Sequence, residues 1–153
     1  MRFGSLVLIS GLLILPVTSC SGSSNSQDSQ AIVTKVVDGD TVWVKFSNGS
    51  EEKVRLIGID TPETGQCGFE PAKKELETFV LNQEVSLVVG SPDNRDKYER
   101  LLRYIDINGL DAGLELIKQG LAIHRYDSTD NYGKHAREAA YVNADQSLAN
   151  TCE

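Results

Sequence analysis

The sequence predicts an α+β fold that is mainly β: a five-stranded OB-fold barrel carrying three helices. Three observations lead there. Residues 41–46 alternate strictly, with Val42, Val44 and Phe46 on one face and Thr41, Trp43 and Lys45 on the other, as a half-buried strand requires. Asp38-Gly39 and Asn48-Gly49 are hairpin turn signals flanking that strand, which places it in the middle of a meander. A helix, two strands and further helices follow, the element order of such a barrel. Periodicity alone also allows a generic α+β sandwich.

The elements take their bounds from local chemistry. Residues 32–37 form a β-branched first strand, and residues 52–59 a third strand after the Asn48-Gly49 turn. Pro71 suits a first helical turn, and Ala72, Leu76, Phe79 and Val80 make an apolar stripe, so a helix is predicted over 71–82. Residues 84–89 and 101–107 are the fourth and fifth strands, separated by a polar loop. Asp111 is placed to cap a second helix with Leu114, Ile117 and Leu121 buried and Gly120 at its end. A third helix is predicted over 132–144, with Tyr132, Ala136, Ala139 and Ala140 at helical spacing.

A chain of 153 residues with 40% hydrophobic content has room for one domain with a core. Its 15 Lys+Arg against 22 Asp+Glu give a net charge of −7, which weakens any long-range attraction to a polyanion. Nucleic-acid binding would therefore need a local basic cluster or a bridging metal.

Residues 1–19 carry one charge, Arg2, and then an apolar run of signal-peptide length ending at VTSC. That ending resembles the bacterial lipoprotein lipobox, with Val17 where leucine is usual, and implies a lipid anchor on Cys20; plain secretion is the alternative. Residues 20–30 are polar and read as a flexible tether, which leaves 31–153 as the domain. The expected location is outside the cytoplasm, on the cell envelope or secreted. With Cys20 lipidated, Cys67 and Cys152 remain as an even pair in an oxidising compartment, and a disulfide between them is expected, free thiols being the alternative.

Between Asp38 and Glu63 the chain gathers carboxylates, threonines and Arg55 near strand ends. Hard cations take carboxylate and carbonyl oxygens, and a guanidinium matches a phosphate, so these residue types point to metal-assisted phosphate chemistry. His124 and His135 are not at metal-ligand spacing and read as surface or structural residues. The run 127–133 fails the calcium-loop template and reads as a solvated loop.

The strings VDGDT (37–41), RLIGIDTPE (55–63), RDKYERLLRY (95–104) and IKQGLA (117–122) resemble the staphylococcal nuclease family in order and spacing. The resemblance spans essentially residues 31–142. It implies a staphylococcal nuclease-like OB barrel and a Ca2+-dependent phosphodiesterase of low sequence specificity that cuts DNA and RNA at the 5′ P–O bond, leaving 3′-phosphate ends. It implies Asp40, Asp60 and the Thr61 carbonyl as calcium ligands, and Glu63 as general base or water-positioner. Arg55 and Arg100 fall on the arginines that hold the phosphate, Lys97 and Tyr98 on contacts to a substrate phosphate, and Tyr126 on a tyrosine beside the nucleobase. The chain departs from the family at Glu99, where glycine is usual before the second arginine, and near Ser128, where a second base-side aromatic has no equivalent. The chain is expected to act as a monomer. A catalytically weak or inactive OB module that binds nucleic acid or an envelope partner is the alternative reading, with Glu99 and the net acidity in its favour.

Overall fold

The computed structural model describes residues 29–145. The signal segment 1–19, Cys20, the tether up to residue 28 and Cys152 lie outside the described residues. The chain order is β1 Ser29–Val36, β2 Thr41–Lys45, β3 Glu51–Leu56, β4 Ile59–Asp60, α1 Phe69–Val80, β5 Glu84–Val88, β6 Leu101–Ile107, β7 Leu110–Asp111, α2 Ala112–Lys118, β8 Ile123–His124 and α3 Glu138–Asp145.

Five strands close on themselves. β2 pairs antiparallel with β1 and β3, β5 pairs antiparallel with β1 and β6, and a parallel β3–β6 ladder completes the circuit. Closure leaves these strands no long free edge, and it selects the OB barrel over the open sandwich. Alternation then sends Val33, Val42, Val44, Val54, Leu56, Leu87 and Ile105 into one interior, with Leu76 and Val80 of α1 and Leu116 and Ile117 of α2 in the same core. Among the described residues no helix is long and apolar enough to cross a membrane.

Several boundaries differ from the sequence reading, each for a local reason. β1 begins at Ser29, because Ser29 and Gln30 pair with Leu87 and Ser86 of β5; these two residues are strand and not tether. The predicted third strand breaks at Ile57-Gly58. Gly58 has φ 76°, and a side chain there would collide with the His135 ring, 2.5 Å from a built Cβ. The chain turns and resumes as β4, which pairs with β8. Asp111 caps α2 as expected, its carboxylate accepting from the Leu114 amide at 3.2 Å, but the buried face is Ala112, Gly113, Leu116 and Ile117.

The third helix is shorter than predicted. It starts at Glu138, and its buried residue is Tyr141, while Ala136, Ala139 and Ala140 face solvent. Small side chains at helical spacing carried too little apolar area to fix a face. Residues 127–133 also differ from a simple solvated loop, since Asp127 is fully buried and accepts from the Thr129 amide and hydroxyl at 2.7 and 2.6 Å.

Candidate functional site

The site forms where the β1–β2 turn meets the end of β4. In the Asp38-Gly39-Asp40 turn, Asp38 accepts from the Asp40 amide at 3.1 Å. A Cβ on Gly39 would lie 2.8 Å from Ala72 Cβ and 2.9 Å from Thr61, so only glycine lets this turn pack against α1 and the β4 end. That packing brings residues 40 and 61 together. Asp40 Oδ2 accepts from the Thr61 amide at 3.2 Å and its hydroxyl at 3.0 Å, while Oδ1 accepts from the Thr41 hydroxyl at 3.0 Å.

Arg55 enters from β3, directly opposite Thr41 in the ladder. Its Nε lies 3.1 Å from Asp40 Oδ1 and its Nη2 3.6 Å from Asp60 Oδ1. The guanidinium also donates to the Leu56 and Ile59 carbonyls, which the turn at Gly58 presents to it. Burial pushes the Asp40 carboxyl up to about 6, against the pull of Arg55 and the two threonine hydroxyls and with the help of Asp38. Asp40 and Asp60 share one guanidinium, and Asp38 adds its negative charge beside Asp40.

Tyr126 closes the other side. Its ring lies under Arg55, 5.5 Å from the guanidinium carbon to the ring centroid, and its hydroxyl is 3.4 Å from Asp60 Oδ1. The backbone there is left-handed, φ 60°, with the amide held by Asp130 at 2.9 Å. Burial first, then the Asp60 charge, raise the Tyr126 hydroxyl above its ordinary value.

Arg100 arrives from the loop between β5 and β6, which Asp96 organises. The Asp96 carboxylate accepts from the Tyr98 amide at 2.9 Å, the Arg100 amide at 3.0 Å and Arg100 Nε at 2.6 Å. Burial works to raise this carboxyl, but the Arg100 side chain and the two amides hold it below its ordinary value. Arg100 Nη1 reaches within 3.5 Å of the Thr41 hydroxyl. Among the described residues Glu99 forms no ion pair with Arg100 or Lys97. Arg95 pairs instead with Glu52 at 3.0 Å, and buried Arg103 donates to Asn94 and to the Leu102 carbonyl, so these arginines are committed to holding the loop.

One cavity of about 610 Å³ is lined by Asp40, Arg55, Asp60, Glu63, Arg100 and Tyr126, and also by Lys97 and Tyr98. Glu63 is exposed, its amide held by Gln66 at 2.8 Å. Thr61 is buried beside Asp40. Cys67 lies in the loop that follows Glu63. Among the described residues no three His, Cys, Asp or Glu side chains gather around a metal-sized point. Asp40 and Asp60, both facing Arg55, are oxygen donors of the kind a hard cation takes while keeping much of its water.

Residues 53–148 match the family described as Staphylococcal nuclease homologue. The chain belongs to the staphylococcal nuclease family. It is 32% identical over 143 residues to a thermonuclease of Staphylococcus intermedius, covering 84% of each chain. It is also 33% identical over 112 residues to endonuclease YncB of Bacillus subtilis and 35% identical over 118 residues to an uncharacterized endonuclease of Haemophilus influenzae, covering 67% and 76% of this chain. It spans only 53% and 62% of those two proteins.

Two departures from the staphylococcal nuclease family pattern now have a structural account. Glu99 keeps a left-handed backbone, φ 63°, as the usual glycine would, and its carbonyl accepts from Arg95 at 2.6 Å. A second aromatic does exist beside Tyr126: Tyr132, 61% exposed, stands edge-on at 5.1 Å and lines the same cavity. Reading Tyr132 as a helix residue hid it. The signal was the Asp127 loop, whose internal hydrogen bonds fold the chain back on itself. Asp96 was equally missed, since an aspartate among arginines reads first as charge compensation.

Proposed function

We propose that this chain is an exported, calcium-dependent nuclease that hydrolyses phosphodiester bonds of DNA and RNA with low sequence specificity, breaking the 5′ P–O bond and leaving 3′-phosphate ends. The observation that carries this reading is that Asp40 and Asp60 share one guanidinium, Arg55, in a cavity that Glu63 and Arg100 also line.

In this reading Asp40, Asp60 and the Thr61 carbonyl hold calcium. Bound calcium supplies positive charge that offsets the phosphate charge and favours attack by water. Arg55 and Arg100 donate to the non-bridging phosphate oxygens, where charge builds in the transition state. Glu63, exposed and off the Asp40–Asp60 pair, orients the attacking water and takes its proton. Lys97 and Tyr98 hold a neighbouring phosphate, and Tyr126 gives a base a face to stack on, with Tyr132 beside it.

The same proposal places a lipid on Cys20 at the membrane, with the domain held outside the cytoplasm, and joins Cys67 to Cys152 next to the loop after Glu63. Two free thiols on titration of the unreduced protein would remove the bridge. Mature protein from Cys20→Ser partitioning with membranes as the native chain does would remove the anchor.

The function is tested by incubating the chain with single-stranded DNA in calcium and again in EDTA. Cutting that requires calcium and that Glu63→Gln abolishes supports the nuclease. Binding without cutting supports the inactive OB module.

A further inference from the structure

The outward face of the barrel carries a row that the rim does not use. In register across three strands, Lys35 of β1 lies beside Trp43 of β2, and Trp43 beside Lys53 of β3. Lys35 reaches this row through a register shift between Val33 and Lys35. Simple alternation after buried Ala31 and Val33 would turn residue 35 inward, but the extra residue exposes Lys35 and returns Val36 to the core. Trp43 is 37% exposed, a large indole left at the surface between two ammonium groups.

The row is continuous with the rim. Thr41 and Arg55 are the next outward pair of the same ladder, about 6.8 Å along the strand, and Arg100 approaches Thr41. On the far side Lys45 lies between Ile32 and Glu51. Three lysines stand against two glutamates, Glu51 and, beside Ile32, Glu84 of β5, so the Lys35–Trp43–Lys53 row is the locally positive part of this face in a chain of net charge −7. An aromatic face between cations is how single strands are held without sequence preference, and strands 2 and 3 are the face OB barrels use for oligonucleotides.

We propose that the β1–β2–β3 outer face is a second contact surface for single-stranded nucleic acid, with Trp43 stacking on a base and Lys35 and Lys53 contacting the phosphates on either side. The proposal rests on the nuclease reading for the path of the strand, which runs from the Arg55 and Arg100 edge onto this row.

Trp43 is the chain's one tryptophan, so its fluorescence reports the surface directly. In EDTA, a thymidylate dodecamer quenches Trp43 and a trinucleotide does not. Lys35→Gln combined with Lys53→Gln lowers the salt slope of dodecamer binding by about 1.4, the share of two phosphate contacts on a single strand. Trp43→Leu weakens dodecamer binding about tenfold, with folding checked by circular dichroism. In calcium, the double variant lowers the ratio of kcat/KM for dodecamer over trinucleotide. Cutting of both substrates with no quenching and an unchanged ratio would overturn the surface and leave the nuclease standing. Quenching without any cutting would overturn the nuclease reading and keep the surface as a binding site. Vesicles of anionic phosphatidylglycerol shifting Trp43 emission where the dodecamer does not would replace the strand by a membrane and overturn the proposal.

Discussion

Arg55 stands between Asp40 and Asp60, 3.1 Å from one carboxylate and 3.6 Å from the other, and is only 8% exposed. The same guanidinium therefore holds the rim together and is the group proposed to meet the phosphate. Arg55→Ala separates the two roles. Removing one partner of a buried pair leaves an uncompensated charge and destabilises by about 3 kcal/mol, measured by urea denaturation in EDTA. Calcium is expected to restore most of that loss, because it binds the carboxylates that Arg55 leaves. Activity stays down about 10²–10³-fold even at saturating calcium, since a transition-state donor is gone.

Asp96 is expected to matter through Arg100 and the loop, with no direct contact to substrate. Asp96→Ala removes three hydrogen bonds that shape the loop. Misplacing a charge-stabilising group by about 1 Å costs on the order of 10²-fold in kcat/KM. The falls should appear mainly in kcat, and Arg100→Ala in the Asp96→Ala background should add little, because both act through one group.

Glu99→Gly is expected to stabilise the chain. A left-handed backbone costs an ordinary residue about 1–2 kcal/mol, while glycine loosens the unfolded chain by about 0.4–1 kcal/mol, so the balance favours glycine by roughly 0.5–1 kcal/mol. Removing a negative charge beside Arg100 should also raise affinity for single-stranded DNA. A lower midpoint in denaturant for Glu99→Gly would contradict the strain.

His135 gives a pH dependence of known sign. The Arg137 amide donates to the Tyr104 hydroxyl at 2.8 Å, and that hydroxyl shares a hydrogen bond with His135 Nδ1 at 2.7 Å. Burial, ahead of any neighbouring charge, pushes the imidazole below its ordinary 6.5. A depressed folded value means stability that is present above 6.5 and lost as pH falls through the folded value. Asp40, raised to about 6, acts in the opposite sense, its stabilisation fading as pH rises through that value. The difference between native and His135→Gln stability curves isolates the histidine: the gap should narrow on acidification.

The barrel was legible because its signals are local and mutually consistent: alternation in 41–46, turns at Asp38-Gly39 and Asn48-Gly49, and a capping aspartate at position 111. The rim was legible at residue types, since Asp40, Arg55 and Asp60 stand near strand ends in the sequence itself. Gly58 was not read as a break, because a single glycine inside a β-branched run acquires meaning only from the His135 ring packed against it. Tyr132 and Trp43 were read for burial and alternation. Their surroundings depend on a loop fold and a strand shift that one-dimensional periodicity does not carry.

The central claim is most directly tested by the calcium dependence of single-stranded DNA hydrolysis, measured for the native chain and Asp40→Asn side by side. The native chain is expected to cut in calcium, stop in EDTA and leave 3′-phosphate ends, and Asp40→Asn to need far more calcium for any cutting. Undiminished cutting in EDTA, or an Asp40→Asn chain with an unchanged calcium requirement, would contradict it.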